Sequence, residues 1–368
     1  MYFALTDEQR ALGESVREYL ADRFDLTAVR GVFEDSLGDG HPRELWKAVG
    51  EQGWLAVCVP EEYDGLGLGV LDAQVVARAF GAGVVPGPWL ATVLAGEAVR
   101  LAGSDEQRAR LLGPVAAGDV VATVALRGEG GRYDPSGVRV SAAADGTLTG
   151  AASPVEYAGV ADTIVVAANE PGGAVGLYLV DRSAPGVTVT GLESYDGTTR
   201  LAAVGLDAVI GERLAGSSAA VLSALFDRGA VLTAADLVGV AREALSRTVA
   251  YDIDRVQFGK SVGSFQALKH HLADLHVGVS MAEHAVLYAA FALDSGLDDA
   301  QLAVSVAKSK SADVAREVTA TMIQYHGGIG YTWEHEAHFF YKRAKREVYA
   351  YGSATEHRDR VAALTIDG

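Results

Sequence analysis

Apolar side chains recur at helical spacing in the first third of the chain. Leu12, Val16 and Leu20 return every three or four residues, which is typical of a helix with one buried face. The segment Thr6–Gln9 reads Thr-Asp-Glu-Gln, a capping box that marks a helix start. This periodicity continues to a final helix that opens at Ser104, so it predicts an N-terminal α-helical domain over residues 1–119.

The pattern changes at residue 120 and changes back near residue 213. Between them lie short β-branched runs, such as Val121–Ala125 and Thr163–Ala168, separated by turn clusters rich in Gly, Pro and Asp. Residues 120–212 therefore predict a middle domain that is an antiparallel β-sandwich or barrel. Residues 213–368 predict a C-terminal four-helix bundle. Its four long periodic segments are Ser217–Val249, Phe265–Ser295, Asp298–Met322 and Glu336–Leu364.

Composition narrows the class of protein. The 368 residues are 49% hydrophobic and 21% charged, with a formal net charge of −17. This balance argues against nucleic acid or an anionic membrane as a partner, because both require a basic face. Cys58 is the single cysteine, which suits a reducing cytoplasm. The opening sequence MYFALTDEQR lacks the features of a signal peptide, and no apolar run is long enough to span a bilayer. We therefore expect a cytoplasmic protein.

Two glycine-containing breaks between the C-terminal helices carry the candidate chemistry. The first is the run Arg255–Lys260, with the sequence RVQFGK, and the second is Gln324–Tyr331, with the sequence QYHGGIGY. Glycine is rare in helix interiors, so both runs predict loops. An arginine, an amide and an aromatic ring suit a flat, phosphorylated ligand, while adjacent glycines allow close backbone approach.

Together, R-x-Q-F-G and Q-x-x-G-G-x-G-Y resemble the C-terminal domain of acyl-CoA dehydrogenases, and the resemblance extends over essentially the whole chain. It implies an FAD-dependent oxidoreductase that acts on acyl-CoA thioesters in lipid metabolism and passes electrons to an electron-transfer flavoprotein or a similar acceptor. It also implies that these motifs contact the adenine-diphosphate half of an FAD held mainly by a neighbouring subunit. The corresponding residues here are Arg255, Gln257, Phe258, Gln324, Gly327 and Gly328.

The family's catalytic base is a glutamate that occupies one of two positions, and this sequence has it at neither. The first position lies in a Y-E-G-T segment, where the chain has Tyr351, followed by Gly352 and Ser353. The second lies ten residues before Gly239 and is occupied by Gly229. The nearest acids, Asp227 and Glu356, are interpreted as exposed helix residues rather than displaced bases.

The motifs that contact the flavin ring in the family are also altered. The aligned T-E-P-x-x-G-S-D turn reads RGEGGRYD from Arg127 to Asp134. The aligned K-x-W/F-I-T strand reads SPVEY and ends at Tyr157, whose hydroxyl could replace only part of the lost contacts. The chain thus resembles the non-catalytic subunit of heteromeric (α2β2) acyl-CoA dehydrogenases of actinobacterial steroid degradation. That resemblance predicts a heterotetramer with a base-bearing subunit that completes the enzyme.

Two other hypotheses stay open. One is a self-sufficient dehydrogenase or oxidase that uses Asp227 or Glu356 as a displaced acid. The other is a flavin-free, acyl-CoA-binding pseudoenzyme. No metal site is predicted, since the histidines at 270, 271 and 276 lack converging ligands. The basic cluster Lys342–Arg346 suits either CoA phosphates or a solvated or subunit-facing surface.

Overall fold

The structure is a computed structural model that describes residues 4–35 and 38–366. The expectation about the N-terminal sequence rests partly on residues 1–3, which lie outside the described part of the chain. Eleven α-helices and ten β-strands are present among the described residues. The helices are α1 Asp7–Arg23, α2 Leu26–Glu34, α3 Arg43–Glu51, α4 Val70–Gly83, α5 Trp89–Ala102, α6 Asp105–Ala117, α7 Ala219–Asp254, α8 Gln266–Ser295, α9 Ala300–His326, α10 Ala337–Glu347 and α11 Ala354–Thr365.

The strands lie mainly between α6 and α7, as the β-branched runs predict. They are β1 Ala122–Ala125, β2 Val140–Ala142, β3 Thr147–Glu156, β4 Thr163–Asn169, β5 Val175–Asp181, β6 Val187–Leu192, β7 Leu201–Ile210, β8 Glu212–Arg213, β9 Val256–Gln257 and β10 Lys260–Ser261. The helix–sheet–helix order confirms the predicted fold class. The division into three domains at residues 119 and 212 stays a prediction.

The chain forms two compact units. One unit contains the residues up to Arg30, Val70–Val85 and everything from Ala230 onward. It therefore holds α1, α4, most of α7 and the last four helices. The other contains Gly31–Gly69 and Pro86–Gly229, which include α3, α5, α6 and the large sheet.

The large sheet has eight strands in the order β6-β7-β3-β2-β4-β5-β8, with β1 also paired to β4. Its pairs are antiparallel except β1–β4 and β2–β4, which are parallel. The antiparallel prediction is wrong at these two pairs, because β3 lies between them in the sequence and neither β1 nor β2 is joined to β4 by a hairpin. Residues Ile164–Ala168 of β4 and Val175–Val180 of β5 are buried throughout, so the core covers both faces there.

Helix starts follow the local sequence signals. The Thr6 hydroxyl accepts from the amide of Gln9 at 3.2 Å, and the Gln9 side chain accepts from the Thr6 amide at 3.1 Å. Ser104 and Gln107 form the same reciprocal pair at the start of α6. Both predicted helix starts are therefore confirmed by the hydrogen bonds that satisfy the free amides of the first turn.

The fourth predicted C-terminal segment, Glu336–Leu364, is wrong as a single helix. It is broken into α10 and α11 by a turn at Tyr351 and Gly352, whose φ angles of 54° and 103° no α-helix contains. Ser353 then starts α11, because its hydroxyl accepts from the Glu356 amide while the Glu356 carboxylate accepts from the Ser353 amide. The sequence does not reveal this break, because the helical pattern continues on both sides of it.

Candidate functional site

The R-x-Q-F-G motif forms a two-stranded hairpin directly after α7. Val256 and Gln257 of β9 pair with Ser261 and Lys260 of β10. The two residues at the tip, Phe258 and Gly259, have φ angles of 54° and 76°, the positive values that two-residue hairpin turns of the I′ type require. Phe258 is 89% exposed in this disfavoured conformation. The hairpin therefore presents its aromatic ring outward.

The hairpin's polar side chains are also directed away from the chain's own core. Arg255 is exposed, and its guanidinium makes no hydrogen bond or ion pair with any residue in 4–35 or 38–366. The Gln257 amide donates to the carbonyl of Val256 at 2.8 Å. The ammonium of Lys260 lies 4.2 Å from the centroid of the Phe265 ring, and Phe258 packs edge-on against the same ring at 6.2 Å. Arg255 is thus a cation with its hydrogen-bonding capacity unused.

The second motif is a bare turn at the end of α9. Gly327 has φ 64° and ψ −139°, a combination open essentially to glycine alone. Gly328 has ordinary helical angles of −55° and −38°, and a methyl group built on it would meet nothing within 4 Å. Neither its backbone conformation nor its packing in this chain requires glycine. Close approach by a group from outside the chain would require it.

The structure connects the helices that carry these two distant motifs. The ring of Tyr251, in the last turn of α7, stacks on His326 with 4.3 Å between centroids. The Tyr251 hydroxyl donates to the His326 carbonyl at 3.3 Å. His271 of α8 lies 2.7 Å from the hydroxyl of Tyr325, which links the helix after the hairpin to the same end of α9. These contacts place the last turn of α7, from which the hairpin extends, against the end of α9, where Gln324 is exposed.

Sequence analysis missed the buried ionisable groups beneath this site. Asp252 is 1% exposed, and neither carboxylate oxygen has a hydrogen-bond partner among the described residues. Burial raises the pKa of Asp252, lowers the pKa of His326, and raises that of Tyr325, to which the Asp252 charge also contributes. The position of Asp252, three residues before Arg255, was the only sequence signal available. Burial thus favours the neutral form of all three groups.

The two base positions hold no carboxylate. Gly229 lies within α7 and is buried. Tyr351 occupies the other position, in the left-handed turn between α10 and α11, and is 8% exposed. Its carbonyl accepts from His357 Nε2 at 2.9 Å.

The two neighbouring acids differ from the sequence interpretation. Asp227 is not an exposed helix acid, since it is 3% exposed within the apolar start of α7. Glu356 is half-buried, and one of its carboxylate oxygens accepts from both the amide and the hydroxyl of Ser353 at 2.8 Å. Capping α11 thus occupies Glu356.

In the sheet-containing unit, the segments aligned with the flavin-ring motifs are hydrogen-bonded internally. The Arg127 guanidinium donates to the Gly131 carbonyl at 2.9 Å and lies 4.3 Å from the Tyr133 ring centroid. Tyr133 in turn packs edge-on against Phe226. The Tyr157 hydroxyl donates to the Thr198 carbonyl at 2.6 Å and accepts from the Gly87 amide at 2.7 Å.

The basic cluster on α10 is largely occupied within the protein. Arg343 is buried and forks onto both oxygens of Asp236 at 3.2 and 2.8 Å. Arg346 is paired with the buried Glu347. Lys342 and Lys345 lie over aromatic rings, those of Trp333 and Tyr341. The cluster is therefore mainly a packing feature and not an open phosphate patch.

We searched residues 4–35 and 38–366 for metal-binding groups and for membrane-spanning helices. These residues contain no group of three or more His, Cys, Asp or Glu side chains placed to hold a metal ion. They also include no helix long and apolar enough to cross a bilayer.

Comparison with known proteins identifies the class as acyl-CoA dehydrogenases. The model of the acyl-CoA dehydrogenase N-terminal domain matches residues 6–119, and that of the acyl-CoA dehydrogenase C-terminal domain matches residues 216–365. Acyl-CoA dehydrogenase IpdE2 of Mycolicibacterium smegmatis is 32% identical over 362 residues, covering 98% of this chain and 99% of that protein. The chain belongs to the acyl-CoA dehydrogenase family, whose cofactor is FAD.

Two solved structures are similar over nearly their full lengths. The ChsE4-ChsE5 complex from Mycobacterium tuberculosis matches with a TM-score of 0.91 and 30% identity, covering 100% of this chain and 99% of that one. The Tcur3481-Tcur3483 steroid ACAD, in its G363A variant, matches with a TM-score of 0.89 and 29% identity, covering 98% of both chains.

Proposed function

We propose that this chain is one subunit of a heteromeric, FAD-dependent acyl-CoA dehydrogenase. In this proposal it completes the FAD site of a base-bearing partner subunit and supplies no catalytic base itself. The observation that carries the proposal is the unpaired Arg255 on a hairpin that extends from α7, whose last turn packs against the end of α9 where the bare Gly327–Gly328 turn begins. The motif for another subunit's nucleotide is intact, whereas no carboxylate stands at either base position.

The nucleotide half of FAD fits the residues of the hairpin and glycine turn. A guanidinium without an internal partner suits the pyrophosphate charge, because it can donate a pair of charge-assisted hydrogen bonds. The exposed Phe258 ring offers an apolar surface, and Gln257 and Gln324 offer amides. The empty space over Gly328 is what a closely approaching ligand would use. In the proposed assembly these residues hold the adenine-diphosphate half of the partner's FAD.

The flavin-ring half fits poorly. The polar atoms of Arg127 and Tyr157 already bond to carbonyls within the same unit. Gly229 offers no side chain, and Tyr351 presents a phenol where the family's reaction uses a carboxylate. A flavin bound by this chain alone would thus lack both the ring contacts and the proton acceptor that the family's reaction needs.

The two alternatives account for fewer observations. A displaced base at Glu356 would have to give up the capping box of α11. Asp227 is buried, as a catalytic base in a dry pocket would be. However, it lies two residues before position 229 on α7, so its side chain points about 200° away from that position. A flavin-free pseudoenzyme would not account for an exposed, unpaired Arg255 or for a glycine at position 328, where the chain itself has room for a side chain.

The names of similar proteins guide the substrate and partner. One similar structure is described as a steroid ACAD and another is a two-protein complex, so we infer a steroid side-chain CoA thioester as the substrate. The oxidised product would be the 2-enoyl-CoA, with electrons leaving through an electron-transfer flavoprotein or a similar acceptor. We place the complex in the cytoplasm, where the single Cys58 stays reduced.

The test is to express the chain alone and together with a base-bearing acyl-CoA dehydrogenase subunit, then record visible spectra and native masses. We expect a colourless, inactive chain alone. We expect a yellow complex with equal numbers of the two subunits and one FAD per pair. A missing general base lowers the rate by about 10²–10⁴, so inactivity of the isolated chain is easily measured.

Each alternative gives a different result. Turnover by the isolated yellow chain that Asp227→Asn or Glu356→Gln abolishes would establish a self-sufficient enzyme. One FAD per chain in the complex would contradict the shared site. A complex that binds acyl-CoA but retains no flavin would favour the pseudoenzyme.

A further inference from the structure

Lys308 is a fully buried lysine in the middle of α9. It is 0% exposed, and its ammonium donates to three backbone carbonyls: Glu347 at 3.2 Å, Val348 at 3.3 Å and Gly352 at 2.8 Å. An ammonium has three N–H donors, so the three carbonyls match its full capacity. None of these acceptors belongs to α9 itself. All lie in the segment that ends α10 and leads into α11.

The placement is electrostatically consistent. The carbonyls at the end of α10 carry the negative end of the helix dipole, which favours a cation. The carboxylates of Glu347 and Glu356 act in the same direction. Burial acts against the charge and lowers the pKa of Lys308 to about 7, the two carboxylates opposing this fall. The three hydrogen bonds therefore hold the Lys308 ammonium in a place where it has lost its hydration.

His357 holds the same turn from α11. Its Nε2 lies 2.9 Å from the Tyr351 carbonyl, which can only accept, so the proton is on Nε2. Nδ1 then accepts from the Ser305 hydroxyl at 3.3 Å, one turn before Lys308 on α9. Burial lowers the pKa of His357 to about 4, so the ring is neutral and keeps this tautomer across the physiological range.

The turn itself could not hold its shape unaided. Tyr351 and Gly352 both have positive φ angles, 54° and 103°. At Tyr351 this conformation is strained, and it persists because surrounding groups fix it. At Gly352 a side chain would also meet the His357 ring at 2.7 Å. The Tyr351 carbonyl thus accepts from α11 and the next carbonyl, that of Gly352, accepts from α9.

We propose that Lys308 is a positioning residue which, together with His357, clamps the Tyr351–Gly352 turn and so fixes the direction of the side chain at position 351. This position is where the family's commoner base is expected. The clamp is independent of the partner and of FAD. In this chain the clamped turn presents Tyr351 and not a carboxylate.

Hydrogen exchange of the full chain tests the clamp. Lys308→Met keeps the aliphatic length and removes the three donors. We expect the exchange rate at residues 349–357 to rise by at least about tenfold, because the variant loses hydrogen bonds donated by a charged group. Exchange in α7 and α8 should change little. Lys310→Met, a half-buried lysine on the same helix with no such contacts, is the matched control. An equal rise throughout the chain, or none at the turn, would overturn the proposal.

A conservative pair at position 357 provides an independent test if Lys308→Met does not fold. His357→Gln can still donate an N–H to the Tyr351 carbonyl, whereas His357→Leu cannot. We expect the leucine variant to loosen the turn and the glutamine variant to restore most of its protection. Equal exchange in both variants would show that the ring acts only by filling space, which contradicts a clamp.

The wild-type protein supplies a third test through pH. Opening the turn hydrates Lys308 and returns its pKa from about 7 toward 10.5, so opening takes up a proton between these values. Protection of the turn, corrected for intrinsic exchange, should therefore rise with pH above about 7, by up to about tenfold per unit. The charged groups that act on Lys308 are Glu347 on α10 and Glu356 on α11; its other titratable neighbour is His357, on which Arg360 also acts. Loss of this dependence in Lys308→Met assigns it to the lysine; retention would overturn the clamp.

Discussion

Replacing Arg255 separates the proposed role of this chain in cofactor binding from its stability. Arg255 is exposed, its guanidinium has no partner in residues 4–35 or 38–366, and it lies outside both helices that flank it. Substitutions at such positions change stability by about 0.5 kcal/mol or less. Arg255→Ala should therefore leave the urea midpoint of the isolated chain unchanged.

The expected effect on FAD is much larger. A hydrogen bond between charged groups contributes about 1.5–3 kcal/mol, which corresponds to a tenfold to roughly hundredfold change in affinity. We expect Arg255→Ala to weaken FAD retention by the partner-bound complex within this range. FAD retention in Arg255→Lys should lie between that of Arg255→Ala and that of the wild type, because lysine keeps the charge but lacks the planar guanidinium.

The assay is flavin content of the co-expressed complex after dialysis at several salt concentrations, read from its visible absorbance. Loss of the arginine should also flatten the salt dependence, since one ionic contact is removed. Lys269→Ala is the control, because it removes one exposed positive charge from α8. If flavin content and salt dependence are the same in Arg255→Ala and wild type, Arg255 does not contact the cofactor and the shared-site proposal loses its main support.

Three further substitutions test the packing around the site. Asp252→Asn should raise the urea midpoint at neutral pH and lose that advantage below the ordinary pKa of 3.8, because burial raises the folded-state pKa and makes the ionised form costly. Asp236→Ala should destabilise the chain by about 1.5–3 kcal/mol in urea unfolding, since it removes the two hydrogen bonds that the buried Arg343 donates to this carboxylate, while the Glu347 ion pair remains. Gly327→Ala should lower stability by about 1–3 kcal/mol in the same assay, because alanine does not tolerate φ 64° with ψ −139°.

The fold was largely predictable because its signals are local. Helical periodicity, the capping box at Thr6 and β-branched runs each depend on neighbouring residues, and the structure has the corresponding helices and strands. The parallel pairing of β1 with β4 was not predicted, since it depends on how distant strands meet. The break at Tyr351 was missed for a different reason. The conformation of this turn depends on hydrogen bonds from α9 and α11, which the local sequence does not reveal.

The motifs of the candidate site could be found in the sequence, but their surroundings could not. The runs at Arg255 and Gly327 are visible in the sequence, whereas the stack of Tyr251 on His326 is not. Lys308 looks like any lysine in a long helix. Its burial depends on carbonyls that come 39 to 44 residues later, as in its contacts with Glu347 and Gly352.

The open space over Gly328 has a consequence for how tolerance to mutation is measured. A survey that scores only the solubility or folding of the isolated chain should rank Gly328→Ala as harmless, because a methyl group there meets nothing within 4 Å. The same substitution should be penalised when selection acts on the assembled enzyme. In the proposed heteromer, fitness at this position therefore depends on two gene products, and a tolerance map measured on this chain alone would not detect the effect.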